Sequence, residues 1–221
     1  MQLKTRFFNR DAALLAKDLL GKVIRHKHQG RWLAARIIET EAYYMSEKGS
    51  HASLGYTDKR RALFMPAGSI YMYYARGKDS LNISCKGKGN AVLIKSAFAF
   101  EDANTHPKMP EIMQRLNPAA SGGIRPTEKL CAGQTLLCRS LGIKLTDWDQ
   151  QPFSSHQFFI DDIHYTPKQI IQTTRLGIPK GRDEHLMLRY IDFDYAKYCT
   201  KNPLTQRKTH YRLLHATDAS E

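Results

Sequence analysis

The chain has 221 residues, 42% apolar and 25% charged, a balance that supplies both a core and a wetted surface and excludes disordered or collagen-like chains. No apolar run approaches the roughly 20 residues needed to cross a bilayer, and Met1 to Arg10 holds basic residues without an apolar signal core, so neither a membrane-embedded nor a secreted protein is expected. With 34 Lys and Arg against 21 Asp and Glu, the net charge is +13, which points to a polyanionic partner, nucleic acid first.

In chain order, Asp11 is placed to cap a short helix whose Leu15, Leu19 and Leu20 recur at helical spacing, with Gly21 as its stop. Strands are predicted over Lys22 to His28 and Arg31 to Tyr43, joined by a Gln29-Gly30 turn. Ser46 to Arg61 lacks periodicity and reads as loop. Further strands are predicted at Ile70 to Ala75, with Tyr71 and Tyr73 on one face, at Leu81 to Cys85 and at Ala91 to Phe100. Lys86 to Asn90 forms a turn between the last two. Helices are predicted over Pro107 to Asn117 and Thr127 to Leu141, the latter turning Leu130, Leu137 and Leu141 inward and stopping at Gly142. Short β and turn segments follow to about Asp194. With no linker, repeat or low-complexity tract, residues 1–221 read as a single domain of the α+β class, a mostly antiparallel, curved β core flanked by short helices.

Charge is unevenly spread. Lys59 to Phe100 contains Lys59, Arg60, Arg61, Arg76, Lys78, Lys86, Lys88 and Lys95 against the single acid Asp79, a local excess of +7. Lys201, Arg207, Lys208 and Arg212 form a second basic group. Cys85, Cys131, Cys138 and Cys199 show no C-x-x-C pair and no zinc-finger spacing to His, so buried thiols in a reducing compartment are expected rather than a zinc site. Phosphate-cradling glycine loops and the H-E-x-x-H and G-x-S-x-G motifs are missing, which removes common nucleotide-cofactor enzymes, zincins and serine hydrolases as leading readings.

The segment Glu39-Thr40-Glu41-Ala42-Tyr43-Tyr44 is unusual. Regular alternation would put Leu33, Ala35, Ile37, Glu39, Glu41 and Tyr43 on one face, running an apolar stripe into two carboxylates. Such a pair can bind a divalent metal or act in acid/base chemistry, and spacing alone leaves both open.

Glu39-Thr40-Glu41-Ala42-Tyr43, Ser50-His51-Ala52, Met65-Pro66-Ala67-Gly68-Ser69-Ile70-Tyr71-Met72-Tyr73 and Leu81-Asn82-Ile83-Ser84 occur in that order. Leu15 to Gly21 lies upstream, and Arg125 to Cys131 and Arg175-Leu176-Gly177-Ile178 lie downstream. This series resembles the 3-methyladenine (alkyladenine) DNA glycosylase family over nearly the whole chain. The resemblance implies an enzyme that flips alkylated purines of the 3-methyladenine and 7-methylguanine type out of duplex DNA and hydrolyses the N-glycosidic bond, leaving an abasic site. It implies no metal and no other cofactor, a monofunctional enzyme without lyase activity, a double-stranded DNA partner, no membrane and a monomeric state. A cytoplasmic or nucleoid-associated location follows for a bacterial protein and a nuclear one for a eukaryotic protein.

Carried onto this chain, the family pattern makes Glu41 the general base and Glu39 its support, places Tyr43, His51 and Tyr73 as stacking residues around the flipped base, and gives Asn82 the role of rejecting guanine through its 2-amino group. Two positions depart from the family pattern. Arg76 stands where a wedge Tyr is usual, with the segment from Gly77 to Asn82 one residue short, so the wedge falls to Arg76 or to Tyr74. Lys95 replaces an Arg, keeping the charge without the bidentate geometry. Arg60 and Arg61 complete the expected DNA contacts. Rival readings are a damaged-base binding module that does not cleave, a divalent-metal nuclease using Glu39 and Glu41, and a basic RNA-binding protein.

Overall fold

The computed structural model describes residues 1–207 and 209–215; Lys208 of the second basic group lies outside them. The chain opens with two helices, α1 (Thr5–Phe8) and α2 (Ala12–Asp18). Asp11 caps α2 as its sequence position predicts, its Oδ1 accepting from the amides of Ala13 and Leu14 at 2.9 and 3.2 Å, which satisfies amides that have no partner within the helix. Gly21 turns the chain at a φ of 82°, and a Cβ there would lie 2.3 Å from the Tyr165 ring.

Strands β1 (Val23–His28) and β2 (Arg31–Tyr43) follow. Positive φ at both Gln29 and Gly30 gives the primed turn whose twist suits a two-residue hairpin. The stretch predicted as loop instead holds two 3₁₀ segments, His51–Leu54 and Asp58–Phe64. They bury Ala52, Ala62 and Leu63 against Tyr71 and Ala91, too few apolar positions to print a helical period on the sequence. Next come β3 (Ile70–Ala75), β4 (Lys78–Ser84) and β5 (Ala91–Ala99), then α3 (Met109–Leu116).

The helix predicted over Thr127 to Leu141 is two pieces, a 3₁₀ turn Thr127–Lys129 and α4 (Gln134–Leu141). Gly133, at a φ of 137°, breaks it. Leu130, Leu137 and Leu141 are fully buried as expected, and Gly142 stops α4 in the left-handed region. The chain ends through α5 (Leu145–Trp148), β6 (Phe158–Asp161), β7 (Gln169–Thr173), β8 (Arg189–Asp192) and β9 (Tyr211–His215); β9 was not predicted.

The described strands form one open antiparallel sheet in the order β3-β4-β5-β2-β8-β7-β9, with β1 continuing along the β8 edge of β2 and pairing in turn with β6. Helices α2, α3 and α4 cover one face, where Leu15, Leu19, Ile24, Ile37, Ile83, Val92 and Ile94 are fully buried. Each such side chain contributes roughly 1.5–3 kcal/mol. The fold is thus α+β with a dominant antiparallel sheet, as the sequence reading holds.

The regular alternation expected along β2 does not occur. Between Ile37 and Glu39 the strand advances two residues while β5 advances one, and between Glu39 and Thr40 β5 skips Lys95. Ile38 and Lys95 are therefore the extra residues of two opposed bulges, and a bulge reverses which face the following residues present. Leu33, Ala35 and Ile37 lie in the helix-covered core. Beyond the bulge Ala42 lies there, and the Thr40 hydroxyl donates to Ala16 O in α2 at 2.8 Å. Glu39, Glu41 and Tyr43 turn to the opposite face.

Candidate active site

Strand register assembles the site. Tyr71 on β3 pairs with Asn82 on β4, Asn82 with Leu93 on β5, Leu93 with Glu41 on β2, and Glu41 with Arg189 on β8. Adjacent strands lie about 4.8 Å apart, so residues far apart in sequence stand in one row on the face away from α2. The next row toward the β2 C-terminus holds Tyr43 and Ala91.

Above this row lies a cleft of about 930 Å³ lined by Tyr43, His51, Tyr71, Tyr73, Asn82 and Lys95, with walls from residues 132–136, 176–179 and 200–201. Its described lining includes Arg76, Lys78, Lys95, Arg182 and Lys201 and no acid. Low-dielectric walls carrying one sign of charge concentrate the field and attract an anion. Arg182 and Lys201 lie outside the +7 stretch, and only folding reveals that they join it.

Glu41 is fully buried directly beneath this lining. Tyr43 Oη donates to its Oε2 at 2.7 Å, the Leu176 amide donates to its Oε1 at 3.0 Å, and Lys95 Nζ lies 3.4 Å from Oε1. Lys95 also donates to Gln134 Oε1 at 3.2 Å. Burial, followed by the Glu41 charge and hydrogen bond, pushes the Tyr43 hydroxyl well above its ordinary pKa, which keeps it a proton donor to that carboxylate.

The predicted aromatics converge. The His51 ring meets Tyr73 edge-on at 4.3 Å between centroids, its Nδ1 lies 3.0 Å from Tyr71 Oη, and Tyr71 stacks on Tyr73 at 5.8 Å. Tyr71 is a cleft residue that the sequence reading had placed on the right face without a role. Partial burial, then the neighbouring Arg60 and Arg182, hold the His51 imidazole below its usual range. Asn82 donates from Nδ2 to Tyr71 O at 3.2 Å, fixing its amide.

Glu39 is not joined to Glu41 in a shared site. It accepts from Arg189 Nε at 2.6 Å, from Ser96 Oγ and from the Thr200 amide at 2.9 Å, while Arg189 Nη2 donates to Lys201 O at 2.8 Å. Glu39 and Arg189 thereby anchor residues 200–201, one wall of the cleft. Among the described residues no group of three or more His, Cys, Asp or Glu is arranged to hold a metal ion, and no helix is long and apolar enough to cross a membrane. The four cysteines are buried and unpaired.

At the mouth, Arg76 and Gly77 form the tip of the β3–β4 hairpin, both at positive φ, 52° and 75°. Arg76 lines the cleft; Tyr74, 56% exposed, does not. Strand alternation explains this, since Tyr71, Tyr73 and Ala75 share the cleft face and Tyr74 the other. Arg61 is exposed, whereas Arg60 is half-buried and donates from Nη1 to His51 O at 3.2 Å.

Residues 6–196 match the family model described as Methylpurine-DNA glycosylase (MPG). A protein of Pseudomonas syringae pv. syringae (strain B728a) named "Putative 3-methyladenine DNA glycosylase" is 63% identical over 202 residues, 91% of each chain. Proteins of the same name from Pseudomonas aeruginosa (strain LESB58) and Clostridium botulinum (strain Hall) are 57% and 32% identical, covering 96% and 89% of this chain and 89% and 98% of their own.

Proposed function

Because the chain belongs to the methylpurine-DNA glycosylase family, we propose that its cleft receives a purine of the 3-methyladenine or 7-methylguanine type flipped from duplex DNA, and that Glu41 activates the water that replaces it. The coarser activity, a DNA glycosylase acting on alkylated bases, follows from the family itself.

The observation that carries the finer reading is the placement of Glu41, a fully buried carboxylate fixed by Tyr43 and Leu176 under an aromatic, cationic cleft. Cleaving an N-glycosidic bond builds positive charge on the sugar while water approaches C1′. A carboxylate below the sugar stabilises that charge and accepts the water proton. A ring-alkylated cationic purine is already a good leaving group, so a second acid is not needed, consistent with Glu39 being spent on Arg189.

Tyr43, His51 and Tyr73 hold the extruded base by its faces, and Tyr and neutral His rings favour a cationic purine. Asn82, its amide fixed by Tyr71 O, excludes the guanine 2-amino group. Arg76 at the hairpin tip fills the vacated stack, while Arg60, Arg61 and the cations lining the cleft attract the backbone. Lys95, the cleft lysine beside Glu41, is engaged by Glu41 and Gln134, which supports a monofunctional enzyme. The test is incubation of the protein with methylated duplex DNA in the presence of a chelator. Release of free methylated purine, leaving unnicked abasic strands, is the expected result; strand scission that the chelator abolishes would replace this reading with a metal nuclease.

A further inference from the structure

We propose that Arg175 and Glu47 are positioning residues for catalysis, a buried ion pair that holds in place both groups hydrogen-bonded to the Glu41 carboxylate. The inference rests on the reading of Glu41 given above.

Both holders of that carboxylate touch Arg175. Its guanidinium carbon lies 4.5 Å from the centroid of the Tyr43 ring, and Tyr43 holds Oε2. Its own next residue is Leu176, whose amide holds Oε1. Arg175 Nη1 donates to Ala42 O at 2.9 Å, tying the segment to the end of β2 between Glu41 and Tyr43, and donates as well to Glu47 Oε2. One buried side chain therefore adds a second tie between β2 and residues 175–176, beside the bond from the Leu176 amide to Glu41.

The turn that Glu47 begins also meets the cleft wall. Glu47 begins the turn that leads to His51, and beside it the Lys48 amide donates to Asp183 Oδ2 while Arg182 donates to Lys48 O. Gly49 passes so close to residues 178–182 that an added Cβ would sit 2.9 Å from Arg182 O.

Stability alone does not account for the arrangement. Arg175 Nε and Nη2 are buried without a hydrogen-bond partner, and a buried ion pair with orphaned donors is often matched or exceeded in stability by apolar residues of equal volume. A guanidinium kept there under that handicap is explained by what it orients. Its Nη1 reaches both Ala42 O and Glu47 while the guanidinium lies over the Tyr43 ring, a stacked placement that an ammonium does not reproduce.

The experiment uses the full chain and duplex DNA containing one 7-methylguanine, with Arg175→Met, Arg175→Lys and the volume-matched pair Glu47→Leu/Arg175→Met, which leaves no unmatched buried charge. Single-turnover base release at saturating protein is compared with the Kd for an abasic duplex and with thermal unfolding. Release by Arg175→Met falls about 30-fold with Kd changed less than threefold, Arg175→Lys recovers part of the rate, and the paired variant remains as slow as Arg175→Met although its unfolding midpoint returns to that of the wild type. If Arg175→Met does not fold, the paired variant alone decides. Wild-type rates in the paired variant, or rate losses that follow the unfolding midpoint through the series, would overturn the inference. Failure of the wild-type protein to release base would instead overturn the reading of Glu41.

Discussion

The amide of Leu176 donates to Glu41 Oε1 at 3.0 Å across 135 residues of sequence, and this bond joins the segment after β7 to the centre of the sheet. With Tyr43 on the other oxygen, it leaves the carboxylate a single orientation, the fixed geometry that the proposed role of Glu41 calls for.

Glu39 has a different fate under substitution. Removing one charge from a buried pair leaves the other uncompensated, at a cost of about 3–5 kcal/mol. Glu39→Gln should therefore lower the denaturation midpoint in urea markedly, with Arg189 left facing a neutral amide, while the fraction that stays folded continues to release base. Equilibrium unfolding and base release on the same preparation measure the two effects separately.

Binding should weaken steeply with salt, the log-log slope being about −0.9 per phosphate neutralised. Arg61→Ala should reduce affinity equally for damaged and undamaged duplex, since an exposed cation reads only backbone. Arg60→Ala should add a loss confined to damaged DNA, because Arg60 also holds the His51 turn. Titrations of both duplexes at several salt concentrations separate the two arginines.

Arg76→Ala should lower extrusion, most for well-paired lesions and least for mismatched ones, and Tyr74→Ala should leave it nearly unchanged. The hairpin turns Tyr74 from the cleft, and a guanidinium at the tip can stack on bases and reach the orphaned partner. A fluorescent base analogue read at matched saturation reports flipping directly. Loss of its signal in Tyr74→Ala alone would reassign the wedge.

His26 makes stability depend on pH. Its Nε2 accepts from Trp148 Nε1 at 3.2 Å and its Nδ1 lies 2.7 Å from Leu141 O, so the neutral ring is satisfied at both nitrogens. Burial lowers its pKa, partly offset by the Leu141 carbonyl. An ordinary imidazole titrates near 6.5; below that pH the unfolded chain takes up a proton that the native ring refuses. The contribution is thus complete above about pH 6.5 and is lost as pH falls toward the folded-state pKa. Unfolding midpoints between pH 7.5 and 5 should fall accordingly, and His26→Gln should flatten the slope.

Much of this was legible in sequence. The bounds of β2 and β3 follow from alternation and turn residues, and the Asp11 cap and the Gly142 stop from local backbone chemistry. The face of Glu41 was not legible, because a bulge at Ile38 inverts the alternation that places it, and a bulge leaves no compositional mark when its extra residue is another isoleucine. The convergence of Tyr43, His51, Tyr73 and Asn82 was anticipated through family resemblance. Leu176, Arg175, Gln134 and Thr200 were missed as site residues because they act through backbone amides or through side chains whose partners are 39 to 161 residues away. The clustering of Arg182 and Lys201 beside the +7 stretch was hidden for the same reason.

The most direct test of the account is single-turnover release of 7-methylguanine from duplex DNA by Glu41→Gln, alongside its affinity for an abasic duplex. Gln preserves shape and keeps an acceptor for Tyr43 while removing the proton acceptor and the charge. The account predicts release at least a thousandfold slower, roughly 4 kcal/mol of barrier, with abasic-site binding nearly unchanged. Retention of most of the wild-type rate would contradict it.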